Sequence, residues 1–558
     1  MDTFRKAVEA LLQKHKLDPS LLEIPPDQSM GDFAYPCFSL AKELKKAPAL
    51  IAKDLVAKCT PSGVIAKIEA KGPYLNFFLD KTKIAENILQ TIFKEKENYG
   101  KQHKKTKIMV EYSQPNTHKE FHIGHLRNVS LGTSLIYILR HLGYEVIAAN
   151  YLGDIGTHVA KSLWYLKKYK PKQEKTESKG RFLGRIYTEA NKKLEEDPTL
   201  KEEVDLIHQK LEAKEKEWYD LWKETRQWSL DEFKSIYKYL DAPFDVDFYE
   251  SEVEEEGKKI AKLLLDKGVA IKDQGAVLVD LEQYKLGKCL ILKKDGTSLY
   301  STKDLSLAVR KFEDFHIERS IHIVDARQKF YFQQLFKVLE LAGFTKQMYH
   351  LSYEFVTLPE GAMASRKGNV VLFTEMRDEI YANLLEETRK RHEDWKEKKI
   401  EQTAKAITLA TLKFEMLRHE NNAVIIFDKE KAMSIEGETG PYCQYAHARS
   451  CSILKKYTGK ISQKISFAQL KEPQEYKLVH LLAQFPKVLL EVDMHYKPSL
   501  LVRYTLELAQ AFNEFYHAHQ VISEDESLTK ARLFLVFCVK EVLANALHLL
   551  GIEPLEAM

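Results

Sequence analysis

Apolar residues recur at helical spacing through Phe4–Lys16 and again through Phe38–Lys58. A turn at Pro61-Ser62-Gly63 follows, and alternating runs near Val64–Lys71 and Tyr74–Leu79 predict two short strands. Residues 1–104 thus read as a small α/β unit, closed by the charged, solvated connector Lys94–Lys107. The pattern then changes. Lys107–Ser113 is a short apolar strand, a helix is expected from about His122 to His141, and Tyr144–Asn150 (YEVIAAN) is a second strand. Strand, helix and strand in that order predict a parallel sheet wound with helices. Residues Lys161 to about Asp241 carry Lys, Glu, Trp and Tyr at helical spacing and read as an insertion in the sheet domain. Strand-like pieces recur near Val277–Asp280 and Leu290–Leu292. A second α/β stretch runs from Thr297 to Val371 with the strand Ser320–Val324. From about Ile400 the pattern is helical to the end, with no strand expected.

Bulk properties narrow this picture only in part. A chain of 558 residues is too long for one core, so about three domains are expected. Hydrophobic residues make up 44% and charged residues 30%, as in ordinary globular proteins. No apolar run is long enough to span a bilayer, and the amphipathic N-terminus lacks the layout of a secretory signal. Six scattered cysteines, none in a C-x-x-C pair, point to reduced thiols and a cytoplasmic location rather than disulfides or zinc. A net charge of +4 neither demands nor excludes a nucleic-acid partner, because phosphate affinity depends on local clustering of Lys and Arg.

The chemistry concentrates in Ser113-Gln-Pro-Asn-Thr-His-Lys-Glu-Phe-His-Ile-Gly-His-Leu-Arg-Asn128. A strand ends at Ser113 and Pro115 breaks regular structure. His122 and His125 stand three apart at the expected helix start and share a face. Gly124 between them removes a side chain that would block a ligand. Helix N-termini attract phosphate, and two imidazoles there can donate hydrogen bonds as charge builds. Two histidines alone are also compatible with a structural role or with half a metal site, but no neighbouring Cys or His cluster completes one, and the functional reading is favoured. Far downstream lies Met363-Ala-Ser-Arg-Lys-Gly-Asn-Val-Val371, a basic, Gly-bounded loop before a short strand. It suits a clamp on pyrophosphate but, alone, reads as a solvated turn.

Together the two segments resemble the H-I-G-H and K-M-S-K-S elements of class I aminoacyl-tRNA synthetases. Four longer stretches are similar to the arginyl-tRNA synthetase pattern: Glu111–Asn116, Gly124–Asn128, Asn150–His158 and Glu438–Arg449. So are Gly31–Ala34 and the terminus Leu549–Met558. The resemblance spans essentially the whole chain. It implies an N-terminal domain touching the tRNA elbow (1–104) and a Rossmann-like catalytic domain (105–380) with an insertion at about 161–290. A helical anticodon-binding domain (381–558) completes it. It implies arginine contacts at Glu111, Asn116, Tyr300, Asp304 and Gln328. A planar guanidinium is well met by such paired acceptors. It implies ATP contacts at His122, Gly124, His125, Asn128, Gly153, Asp154 and His158, with Met363 in the downstream loop and Asp325 as a ribose contact. Gly153 and Asp154 follow a strand at the carboxyl edge, where α/β sheets bind ligands.

One departure stands out. The downstream loop begins Ala362-Met363-Ala364, without the family's usual first lysine and serine. Some family members lack that lysine as well, and a lysine just upstream of the histidine motif is thought to replace it. Lys119 occupies that place, so Lys119, Arg366 and Lys367 are expected to support the pyrophosphate. The implied reaction activates L-arginine with ATP and Mg²⁺ and transfers it to tRNA(Arg). No protein-bound structural metal and no editing site are expected, since unpaired buried acceptors already reject analogues by about 10⁴–10⁵. A monomer is expected. The rivals are a synthetase for another amino acid, lysine foremost, a small nucleotidyltransferase, and an RNA-binding descendant without catalysis. The long helical C-terminal part argues against the second. Its helices near Phe467–His495 and Leu501–His519 carry Lys, Arg, Tyr and Phe suited to stacking on bases.

Overall fold

The computed structural model describes residues 2–27, 30–294, 299–357, 371–434 and 436–558. Five parallel strands form its central sheet. Their order is Gln347–Tyr353, Arg319–Asp325, Lys107–Glu111, Glu145–Leu152, Val246–Tyr249. Ile108, Met109 and Val110 are all fully buried, as are Ala148, Ala149, Ile321 and Ile323. Continuous burial is what a parallel sheet covered on both faces requires. The helix Ile123–His141 connects the first two strands in sequence and is buried on nearly every side. It lies between the sheet and the C-terminal helices Glu397–Arg418 and Glu526–Leu549. That placement explains why its pattern is not amphipathic.

The N-terminal unit contains a three-stranded antiparallel sheet, ordered Phe33–Pro36, Tyr74–Leu79, Ile65–Lys71. Its helix Lys81–Glu95 docks on the C-terminal bundle, where Phe93 stacks on Phe534 at 5.1 Å. One hydrophobic cluster therefore runs from Phe4 to Leu555 through all three parts.

Four expectations need correction. The helix expected over Phe38–Lys58 is two helices, Phe38–Leu44 and Pro48–Lys58. Lys45 is left-handed (φ 48°) and Pro48, which has no N–H to give, starts the second. The connector Lys94–Lys107 is not wholly solvated. Tyr99 is 4% exposed, stacks on Phe485, and its hydroxyl donates to the Leu482 carbonyl at 3.1 Å. The insertion at about 161–290 is not one block. Val246–Tyr249 within it is the outer strand of the main sheet, and at four residues it is too short to show a period. After it, Ile271–Asp273, Ala276–Asp280 and Lys288–Leu292 form a separate antiparallel sheet. Finally, the helical C-terminal part does contain a strand, Ile425–Ile426, which pairs in parallel with Val356–Thr357. All six cysteines are buried and unbridged. Among the described residues no helix is long and apolar enough to cross a membrane.

Candidate active site

A cavity of about 560 Å³ opens at the carboxyl ends of the central strands. His122, Gly124, His125 and Asn128 line one side, and Glu111, Asp304, Lys311, His322 and Tyr331 another. Asp325, Gln328, Tyr353 and Phe355 complete much of the rest.

The first side is built by a helix cap. His122 is the N-cap of Ile123–His141, and its Nδ1 accepts from the Gly124 N–H at 3.1 Å. His125 Nδ1 accepts in return from the His122 N–H, also at 3.1 Å. The two bonds form a capping box made of imidazoles in place of the usual hydroxyl and carboxylate. They stack the rings at 3.8 Å. Gly124 is required by this cap itself, because a Cβ there would lie 2.9 Å from the His122 ring. Burial pushes the His122 pKa down to about 4, helped by Lys119 and Arg327, and pushes His125 well below its usual value. Both rings are therefore neutral near pH 7. With each Nδ1 accepting, the proton of each sits on Nε2. The helix start thus offers two neutral N–H donors together with its free backbone N–H groups.

The second side is charged and buried. Glu111 is 3% exposed at the end of its strand. It pairs with Lys311 from the helix Tyr300–Phe315, and His322 Nδ1 lies 3.4 Å from its other oxygen. Burial alone would raise its pKa, but the Lys311 ammonium and His322 outweigh it and hold Glu111 below the usual carboxylate range. Gln114 Nε2 donates to Glu111 at 3.0 Å. Asp304 lies two turns before Lys311 on the same helix and accepts from the Tyr331 hydroxyl. Burial raises its pKa to about 6, with the negative Glu111 adding to the rise. Asp304 is therefore the carboxylate poised to gain most from an incoming cation.

The strand-to-helix bend between the two sides is strained. Ser113 and Gln114 both have positive φ (74° and 48°), a conformation that costs of order 1 kcal/mol each. Two buried amides hold it: Asn128 Oδ1 accepts from the Ser113 N–H, and Asn150 Oδ1 from the Gln114 N–H at 3.1 Å. Asn128 Nδ2 also donates to the Ile323 carbonyl at 2.8 Å, so its amide joins two strands while facing the cavity.

The other expected residues are placed less uniformly. Asp325 lines the cavity, with its carboxylate engaged by Arg327. Gln328 lines it at the start of Lys329–Leu341. Asn116 and Gly153 pack against each other beside it. A Cβ on Gly153 would meet Asn116 Oδ1 at 2.2 Å. Tyr300 is 68% exposed at the first turn of its helix, outside the cavity lining. His158 Nε2 donates to the Gly153 carbonyl at 3.2 Å and also lies off the lining. Lys119 lines a separate small cleft, 5.3 Å from the Tyr187 ring. Asp154 is fully buried. It accepts from the Ser251 N–H and hydroxyl and from Arg226 Nε at 2.9, 2.7 and 2.7 Å. Its carboxylate thus fastens the inserted helix Lys216–Tyr239 to the sheet edge. Met363, Arg366 and Lys367 lie outside the described residues. The chain on either side is anchored near the helix start: Val356–Thr357 pairs with Ile425–Ile426, and the Ile123 N–H donates to the Val371 carbonyl at 3.2 Å.

Lys311, His322 and Tyr331 escaped sequence reasoning. Each sits in a span with no motif of its own, and only a lysine inside an apolar helical run hinted at Lys311. Among the described residues no cluster of His, Cys, Asp and Glu is placed to hold a metal.

Comparison with known proteins gives this geometry a family. Residues 88–429 match the description "tRNA synthetases class I (R), catalytic domain". Residues 443–558 match "DALR anticodon binding domain", and residues 2–79 "Arginyl tRNA synthetase N terminal domain". An arginine–tRNA ligase of Bdellovibrio bacteriovorus is 40% identical over 551 residues, covering 96% of this chain and 93% of its own. That of Clostridioides difficile is 35% identical over 568 residues, with both chains fully covered. The Thermus thermophilus arginyl-tRNA synthetase structure superposes with a TM-score of 0.84 at 27% identity over 100% of both chains. The Plasmodium falciparum arginyl-tRNA synthetase shares the fold, with a TM-score of 0.79 at 20% identity over 100% of this chain and 99% of its own. ATP is a substrate throughout the class I synthetases. The chain belongs to the arginyl-tRNA synthetase family, and its activity is that of an arginine–tRNA ligase.

Proposed function

We propose a division of labour within the cavity that brings the reactants together. His122 and His125 meet ATP phosphate oxygens through Nε2–H, aided by the backbone at Gly124. Asp304 takes the guanidinium of arginine, with Gln328 and the more exposed Tyr300 flanking it. Glu111 and Asn116 orient the α-amino end, Glu111 within its Lys311–His322 frame. Asp325 meets the ribose. Asn128, Gly153, Asp154 and His158 act mainly by holding the strand ends at which ATP binds. Lys119, Met363, Arg366 and Lys367 complete the pyrophosphate side, with Mg²⁺ carried by ATP. The observation that carries this reading is the single cavity shared by the neutral imidazole cap and the buried carboxylates.

Arginine's carboxylate then attacks the α-phosphorus in line. The bond to the bridging oxygen breaks and pyrophosphate leaves. A terminal ribose hydroxyl of tRNA(Arg) attacks the arginyl carbonyl carbon and AMP departs. The protein supplies position and electrostatic stabilisation, with no covalent enzyme intermediate. Residues 1–104 would touch the tRNA elbow and the C-terminal helices the anticodon, in a monomer working in the cytoplasm.

The test is arginine-dependent ATP–pyrophosphate exchange, run with and without tRNA and with lysine as the alternative amino acid. Exchange with arginine and tRNA is expected. Its absence, or equal exchange with lysine, overturns the reading. In the same assay Lys119→Ala should lose at least tenfold, about 1.4 kcal/mol. A smaller loss removes Lys119 from the pyrophosphate site.

A further inference from the structure

Arg127 sits on the helix Ile123–His141, one turn beyond the imidazole cap. It is fully buried, and among the described residues no carboxylate forms an ion pair with it. Its guanidinium donates instead to main-chain carbonyls from two distant segments. Nη1 reaches Glu354 O at 2.6 Å, Ala423 O at 2.8 Å and Phe355 O at 3.4 Å. Nη2 reaches Glu420 O at 3.1 Å and Asn421 O at 3.3 Å. The guanidinium carbon lies 5.9 Å from the Tyr353 ring centroid. Burial lowers its pKa to about 10, so it stays charged at pH 7.

A buried charge with only carbonyl partners is costly to maintain, and a packed apolar side chain would commonly serve stability as well. What the guanidinium adds is geometry: a rigid fork that fixes several acceptors at once. One of those acceptors, Phe355, lines the cavity, and Glu354 adjoins it along the chain. Tyr353 and Val356 line the cavity as well, as do His122 and His125. Glu420–Ala423 leads from the C-terminal body, at the end of Glu397–Arg418, into Ile425–Ile426, the strand paired with Val356–Thr357. The arginine-facing groups Glu111, Asp304 and Lys311 are not tied to Arg127 by any of these bonds.

We propose that Arg127 is a positioning residue for ATP: it sets the Tyr353–Val356 wall at a fixed distance from the phosphate-binding helix start, and locks that wall to the C-terminal helical body. The proposal rests on the cavity assignment above, and the wild-type enzyme serves as the control that separates the two. If wild type shows no arginine-dependent exchange, the cavity assignment fails. If wild type exchanges and the variants behave like it, only the role of Arg127 fails.

Two variants test it, Arg127→Lys and Arg127→Met. The lysine keeps the charge but cannot span both segments, and the methionine keeps much of the volume. In tRNA-supported pyrophosphate exchange, Arg127→Lys is expected to raise the KM for ATP at least tenfold while the KM for arginine stays within twofold. Arg127→Met, where it folds, is expected to shift further in the same direction. Hydrogen exchange of amides in 353–357 and 420–426 should quicken together in Arg127→Lys, while amides of 107–112 and 300–311 keep their rates. A general loss of stability would move both KM values and both sets of amides alike, and that result overturns the proposal. So does an unchanged KM for ATP.

Discussion

On the assignment proposed above, the two sides of the cavity hold charged substrates in opposite ways. The helix start, proposed to meet phosphate, uses neutral groups. Its imidazoles are kept unprotonated by burial and oriented by a local cap spanning four residues. The arginine side uses charged groups drawn from three strands and helices: Glu111, Lys311 and His322 form a buried knot, and Asp304 stands beside it. The difference follows the charge of the ligand. Phosphates bring their own negative charge, so at the helix start donors without net charge can serve and cost little to bury. A guanidinium needs a carboxylate, and burying one is tolerable only with a partner or a raised pKa. The structure uses one remedy for each: Lys311 for Glu111 and a pKa near 6 for Asp304.

Breaking the knot is the largest expected effect. Lys311→Met strands the buried Glu111 carboxylate and is expected to lower stability by about 3–5 kcal/mol, read from denaturant unfolding. Glu111→Gln combined with Lys311→Met should recover much of that loss. If the single variant costs under about 1 kcal/mol, the pair is not structural in the sense argued here.

Next comes the phosphate side. His125→Ala removes one Nε2 donor and is expected to lower the activation rate by about 10²–10³-fold, as loss of one preorganised donor does elsewhere. The cap loss should add about 1 kcal/mol of destabilisation. The KM for arginine should stay unchanged, and a parallel rise in it would dissolve the distinction between the two sides. Because burial depresses the pKa of both rings, this side also carries an acid liability. Its stability is intact above about 6.5 and erodes as pH falls towards 4, where the unfolded histidines protonate first.

The smallest effect sharpens the comparison most. Asp304→Asn is expected to raise the KM for arginine by roughly 30-fold, about 2 kcal/mol for a charged hydrogen bond. In the wild type, arginine must meet ionised Asp304, so its KM should climb as pH drops through about 6. The variant should show a flat profile there. The fold responds with the opposite sign. A raised carboxyl pKa contributes stability that is present below 3.8 and lost as pH rises through about 6. A KM profile identical in wild type and variant would remove Asp304 from the guanidinium site.

Much of the frame was legible without coordinates. The strand Lys107–Glu111, the helix from His122 and the strand ending near Asn150 follow from pattern alone. So does the helical C-terminal part. Each is set by a period repeated over many residues, or by a break such as Pro115. The helix start at His122 was legible because its groups lie within four residues of one another. What escaped was decided by distance along the chain. Val246–Tyr249 is too short to carry a period and is a strand only because Glu145–Leu152 offers it an edge. Asp154 looked like a ligand from its place after a strand, yet Arg226 and Ser251, far along the chain, claim its carboxylate.

The sequence by itself therefore determined the order of the elements, the histidine-capped helix start and, through its motifs, the family. Only the tertiary structure decided which charges neutralise one another. Lys311 finds Glu111 across 200 residues, and Arg127 finds carbonyls 227 and 296 residues away. The reason is physical. Local hydrogen bonds and hydrophobic periods are written in neighbouring residues, whereas the worth of a buried charge depends on a partner and a dielectric that exist only once the chain has folded.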